Sequence, residues 1–138
     1  MGQKNCIFCS IAKDEIASAT IYETSEFKVI LDAFPSGRGH TLVITKEHYE
    51  NIYELDADTA GKFFALVTVV ARALKKVTKC EALNVLQNNG KLAGQTVNHF
   101  HMHLIPRFEG DGIHFGWKTQ QLAPEDMQAL AKEINSKI

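Results

Sequence analysis

Apolar residues recur along this chain in two rhythms. Between Asp56 and Lys76 they fall at Ala60, Phe63, Phe64, Val67, Val70, Ala71 and Leu74, close to the 3.6-residue period of a helix with one buried side. Asp56 and Asp58 suit the start of that helix, and Lys75, Lys76 and Lys79 suit its end, where the backbone dipole favours those signs. The β-branched run Val67-Thr68-Val69-Val70 lowers intrinsic propensity, so packing must hold that part. Shorter runs have strand character: Phe27 to Ala33, Thr41 to Thr45, Ala82 to Gln87, and a long alternating stretch from Asn98 to Arg107. Pro35-Ser36-Gly37-Arg38-Gly39 and Asn88 to Gly94 are turns between them. Ile7, Phe8, Ile11 and Ile16 give the start of the chain a short helix or turn with one apolar side. Pro124, Glu125 and Asp126, followed by Met127, Leu130, Ala131 and Ile134, predict a final helix with Pro in its first turn. Strands, helix, strands, helix, with hairpin-like links, predict an α+β fold on an antiparallel sheet.

Composition narrows the class. The 138 residues predict a single domain over 1–138 that can bury a core without staples. A formal net charge of −1 offers no electrostatic footprint for a nucleic-acid duplex, though a local pocket can still be positive. No apolar run approaches the roughly 20 residues of a membrane helix, so no membrane partner is expected. The opening MGQKNCIFCS lacks the apolar core of a signal peptide. It begins Met-Gly, but Cys6 stands where a myristoylation signal has Ser or Thr. The expected location is cytoplasmic. There, three cysteines do not make a disulfide framework, and Cys6-x-x-Cys9 reads as a metal or redox pair. Cys80 carries no such signal.

The alternating stretch holds the chemistry. In a strand, His99, His101 and His103 share one face while Phe100, Met102 and Leu104 share the other. Three imidazoles in a row are a poor packing surface, because each ring has a donor and an acceptor to satisfy and titrates near neutrality. A solvated face, a metal site on the strand, and attack by a neutral imidazole on phosphorus all fit the spacing.

His99-Phe100-His101-Met102-His103-Leu104-Ile105 resembles the motif of the histidine triad (HIT) family, histidines alternating with apolar residues and followed by two more, at every position of residues 99–105. The likeness extends to Cys6-Ile7-Phe8-Cys9, Asp32, Gly39-His40-Thr41-Leu42-Val43-Ile44 and Gly94-Gln95-Thr96-Val97. It implies a HIT-like fold, with about five antiparallel strands, one long helix and a C-terminal helix. It also implies that His101 attacks an α-phosphorus to form a nucleotidyl-histidine, which water then hydrolyses. His103 would handle proton and charge beside the phosphate. His40 matches the family's fourth active-site histidine. Gln95 and Thr96 would donate hydrogen bonds to phosphate oxygens or the bridging atom, Asn88 would line the phosphate and ribose side, and Asp32 would accept from ribose hydroxyls. Ile7, Phe8, Ile11 and Ile30 match positions that sandwich the base. Taken alone, His40 reads as a structural histidine, Asp32 as a turn residue and these apolar residues as core.

The resemblance further implies a closed structural zinc held by Cys6, Cys9, His48 and His99, with no open position for catalysis. It implies a homodimer paired through the long helix and an adjacent strand; the Phe63, Val67 and Val70 stripe fits that interface or an ordinary core. The expected ligands are purine nucleotides such as AMP or GMP derivatives. Asn88 is like the phosphoramidase branch, whereas Gly94-Gln95-Thr96-Val97 and Pro106-Arg107 are more like diadenosine-polyphosphate hydrolases. A nucleotide-binding regulatory protein with weak activity is the third possibility. His103 argues against a nucleotidyltransferase, whose branch carries Gln there. The segment from Glu109 to Gln121, with His114 and Trp117, lies outside the motif and is a candidate for reaching over the site.

Overall fold

A computed structural model describes residues 3–138; Met1 and Gly2, the dipeptide weighed above as a myristoylation start, lie outside the described residues. The elements are α1 (Ile7–Ala12), β1 (Thr20–Glu23), β2 (Phe27–Leu31), β3 (Thr41–Thr45), α2 (Ala57–Thr78), β4 (Ala82–Leu86), β5 (His101–Arg107) and α3 (Pro124–Asn135). The strands form one sheet in the order β1-β2-β3-β5-β4, antiparallel throughout.

Alternation sorts the sheet's two faces. Phe27, Val29, Val43 and Leu104 point to one side, where Phe63, Val67, Val70 and Leu74 of α2 close over them. The apolar stripe on α2 therefore packs as core within this chain. Asp56 caps the helix by accepting from the Thr59 amide at 2.8 Å, and Lys79 ends it in the left-handed region at φ 59°. On the opposite face, Phe8 and Ile11 of α1 pack on Ile30, Leu42 and Ile44. The buried Lys28 holds α1 down: its ammonium donates to the Ile11 carbonyl at 2.9 Å and to the Asp14 carboxylate.

The four strands read from the pattern are present, and β1 is an addition. All four β1 residues are exposed, so no burial rhythm marks it. β5 begins three residues later than the alternation predicts. The chain bends before it: the Phe100 amide bonds the Tyr49 carbonyl at 2.7 Å, and the His99 amide bonds Val97 at 2.8 Å. Gly39 sits at φ +86°, where a Cβ would come within 2.9 Å of Thr78 Cγ2 and 3.1 Å of Pro106 Cγ. Only glycine fits both the turn and that close approach. Cys80 is buried just after α2.

Candidate active site

The bend at Asn98–Phe100 splits the histidines that sequence alone placed side by side. His101 and His103 stand opposite Ile44 and Leu42 of β3 and so face the α1 side. His99 precedes the strand, is fully buried, and turns its ring toward Cys6, Cys9 and His48.

Each ring's proton can be assigned from its partners. His101 Nδ1 lies 2.6 Å from the His99 carbonyl oxygen, which only accepts. The proton is therefore on Nδ1, and Nε2 carries the lone pair. Burial, foremost, pushes the His101 pKa below its usual value, so the ring is neutral near pH 7. The Phe8 ring stands edge-on to it, with centroids 4.9 Å apart. Together these hold a neutral imidazole with a free nitrogen, which is what nucleophilic attack requires.

His40 Nε2 is 2.9 Å from His103 Nδ1 and 3.4 Å from an Asp32 oxygen. Burial, foremost, lowers both histidines' pKa values; His103, also facing His101 and His40, is pushed down to about 4. The other Asp32 oxygen accepts from the Phe34 amide at 2.9 Å, which orients the carboxylate.

His101, His103 and Asp32 line a cleft of about 820 Å³; His40 touches His103 but is not itself part of the lining. Its polar lining includes His101, His103, Asp32 and Thr96, and its apolar lining includes Ile7, Phe8, Ile11, Ile30 and Leu42. Phe34 and Ser18 also line it, and the residue pattern did not mark them; Val97, part of the family likeness but given no role, lines it too. Gln95 and Asn88, expected at the phosphate, are set back from the cleft. The Gln95 carboxamide is committed to backbone: its oxygen accepts from Gly90 at 2.7 Å, and its nitrogen donates to Glu50 at 2.8 Å and Val97 at 3.1 Å. It locks the turn that carries Thr96. The Asn88 carbonyl accepts from the Gln87 side chain. The segment 109–121 does not line the cleft of this chain; Asp111 instead pairs with Arg107 at 2.7 Å, and the Glu109 amide bonds Glu81.

A second cluster lies behind the cleft. One ligand atom each from Cys6, Cys9, His48 and His99 lies within 4.8 Å of all the others, so the four could hold a metal ion. His99 Nε2 is 2.7 Å from the Thr45 carbonyl and so carries the ring's proton, which leaves the Nδ1 lone pair for the cluster. The backbone amide of Gln3 donates to Cys9 Sγ at 3.3 Å.

The HIT domain model matches residues 13–110. This chain belongs to the HIT domain family. A fission yeast relative, named adenosine 5'-monophosphoramidase, is 42% identical over 97% of this chain and 98% of its own length. The crystal structure of a HIT family protein from Bacillus subtilis superposes with a TM-score of 0.93 at 43% identity, covering 98% of each chain. A zinc-bound HIT protein from Mycobacterium smegmatis superposes with a TM-score of 0.75 at 32% identity, covering 97% of this chain and 98% of its own. The α+β sheet matches this HIT fold, and among the described residues no helix is long and apolar enough to cross a membrane.

Proposed function

We propose that this HIT protein is a nucleotide hydrolase that cleaves purine nucleoside phosphoramidates, with His101 as nucleophile. The observation that carries it is the 2.6 Å hydrogen bond from His101 Nδ1 to the His99 carbonyl, which leaves a neutral Nε2 in a cleft lined by both polar and apolar side chains. In the reading favoured here, the base lies between Ile7, Phe8, Ile11 and Ile30, and the ribose hydroxyls donate to Asp32. Nε2 of His101 then attacks the α-phosphorus, and the P–N bond breaks as the leaving nitrogen takes a proton from water and departs as a neutral amine. A nucleotidyl-histidine forms, and water hydrolyses it to the nucleoside monophosphate and free His101. His103 and Thr96 donate to the phosphate oxygens, whose charge increases in the transition state. The name of the fission yeast relative supports a nitrogen-linked leaving group.

Diadenosine-polyphosphate hydrolysis is the second reading, because the same attack at an α-phosphorus serves it and Gly94-Gln95-Thr96-Val97 and Pro106-Arg107 resemble that branch. Purified protein assayed on an AMP lysylamide and on diadenosine polyphosphates decides between them. Turnover of the first at least tenfold faster supports the phosphoramidase reading; the reverse order overturns it, and turnover of neither favours a nucleotide-binding regulator.

The Cys6, Cys9, His48 and His99 cluster fits a structural zinc. Bond lengths of about 2.0 Å to nitrogen and 2.3 Å to sulfur give a tetrahedron with edges of about 3.3–3.8 Å. The cluster's separations are close to these: 3.1 Å between the two Nδ1 atoms, 3.3 Å from Cys6 Sγ to His99, and 3.3 Å and 3.4 Å from Cys9 Sγ to His48 and His99. The four side chains would close the site, so a zinc held there would supply folding stability and fix His99, whose carbonyl orients His101. Pairing into a homodimer and a cytoplasmic location complete the proposed description.

A further inference from the structure

Within the nucleotide-hydrolase reading above, one question is what His103 offers the phosphate: a proton donor or a lone pair. A lone pair would repel the anion, and a donor would bind it. The ring cannot decide this for itself, because neutral imidazole exists in two tautomers of similar energy. Something outside it must choose.

The choice can be traced through three residues. The backbone amide of Ser36 lies 3.0 Å from His40 Nδ1, with its N–H aimed at that nitrogen. An amide nitrogen only donates, so Nδ1 of His40 accepts. The Ser36 hydroxyl, 3.1 Å away, adds a second donor to the same atom. A neutral His40 then carries its proton on Nε2. That atom faces His103 Nδ1 at 2.9 Å, nearer than the Asp32 oxygen at 3.4 Å, so His103 accepts there. The proton of His103 is left on Nε2, the nitrogen not engaged by His40, on a ring that lines the cleft.

We infer that Ser36 is a positioning residue: it sets a one-way relay, Ser36 to His40 to His103, that makes His103 a hydrogen-bond donor toward the phosphate. No proton is transferred along the relay; each nitrogen keeps its own, and only direction is passed on. The turn serves this geometry. The His40 amide bonds the Gly37 carbonyl at 3.2 Å and its carbonyl accepts from Asp32 at 2.9 Å, which brings Ser36 back over the ring. The same direction argues against a cation between Asp32, His40 and His103, although their ligand atoms cluster within 4.8 Å. Binding through His40 Nε2 would move its proton to Nδ1, against the Ser36 amide.

Long-range proton–nitrogen NMR correlations of the ring nitrogens test the relay without any substrate. The native protein is expected to show protonated Nε2 and bare Nδ1 at both His40 and His103. Ser36→Ala, which keeps the backbone amide, is expected to show the same. Ser36→Pro removes both donors; it is expected to populate the Nδ1–H form of His40 and to weaken AMP binding about tenfold, as loss of one hydrogen bond to a charged group would. Adenosine, which has no phosphate, is expected to bind both proteins equally. A protonated Nδ1 on His40 of the native protein overturns the inference, and this measurement stands even where Ser36→Pro fails to fold. So does a folded Ser36→Pro protein with unchanged tautomers and AMP affinity. If the relay is seen but no phosphoramidate is turned over, the function reading fails and the relay survives.

Discussion

Replacing Phe8 by Ala separates two kinds of burial that look alike by exposure. Phe8 is 7% exposed and Phe63 is 1% exposed. Phe63 is enclosed, edge-on to Phe27 at 5.3 Å and to Phe100 at 5.0 Å, between α2 and the sheet. Truncating it removes transfer energy and also leaves a cavity the core cannot fill, so Phe63→Ala should cost about 3–5 kcal/mol. Phe8 packs on Ile11, Ile30, Leu42 and Ile44, but it also lines the open cleft. Water can enter the space it leaves, so the cavity contribution largely drops out. The transfer contribution remains, about 2–3 kcal/mol. Phe8→Leu should recover most of that, but not the edge contact to His101, worth about 0.5–1.5 kcal/mol for an aromatic pair. Urea unfolding with an unchanged slope gives the stabilities, and AMP titration gives the effect on the cleft. If Phe8→Ala costs as much as Phe63→Ala, or less than about 1 kcal/mol, the assignment of Phe8 as a cleft wall is refuted.

Gly39→Ala should cost about 1–3 kcal/mol in chemical denaturation, because its φ of +86° strains any Cβ and Thr78 and Pro106 stand in its way; a loss below 0.5 kcal/mol would contradict this. Elemental analysis of native protein should find about one zinc per chain, and Cys9→Ser should lower it; chelation should reduce the melting temperature by about 10 °C. Protein purified free of zinc would reject the metal assignment. His103 has a folded pKa of about 4, against about 6.5 for an unperturbed histidine. Between these values the unfolded chain holds the extra proton, so its contribution to stability is complete above about pH 6.5 and is lost as the pH falls toward 4. Urea midpoints measured across that range should fall less steeply in His103→Gln than in the native protein; parallel curves would show that His103 is not the cause.

The long helix was legible because its apolar stripe runs for several turns and its ends carry matching charges. The triad was legible because alternating histidines have no ordinary packing role. Other features depend on what the chain does between residues distant in sequence. β1 is fully exposed at the sheet edge, so nothing in its side chains marks it. His99, His101 and His103 looked equivalent by spacing, and only the backbone bond from Phe100 to Tyr49 shows why His99 faces a different cluster. Gln95 looked like a phosphate donor by its type and place, but a side-chain amide pairs equally well with backbone, and here three backbone groups take it. Ser36 and Thr45 act through a backbone amide, which every residue type but proline possesses, and a backbone carbonyl, which all possess, so no sequence signal could have marked those roles.

The central claim is that His101 forms a covalent bond to the nucleotide. Native protein mixed with an AMP phosphoramidate, quenched within a single turnover and digested, is expected to yield an adenylylated peptide containing His101. His101→Ala is expected to bind AMP, yield no such peptide, and lose turnover by at least about a thousandfold. Adenylylation at another residue, or turnover in His101→Ala equal to that of the native protein, would contradict the account.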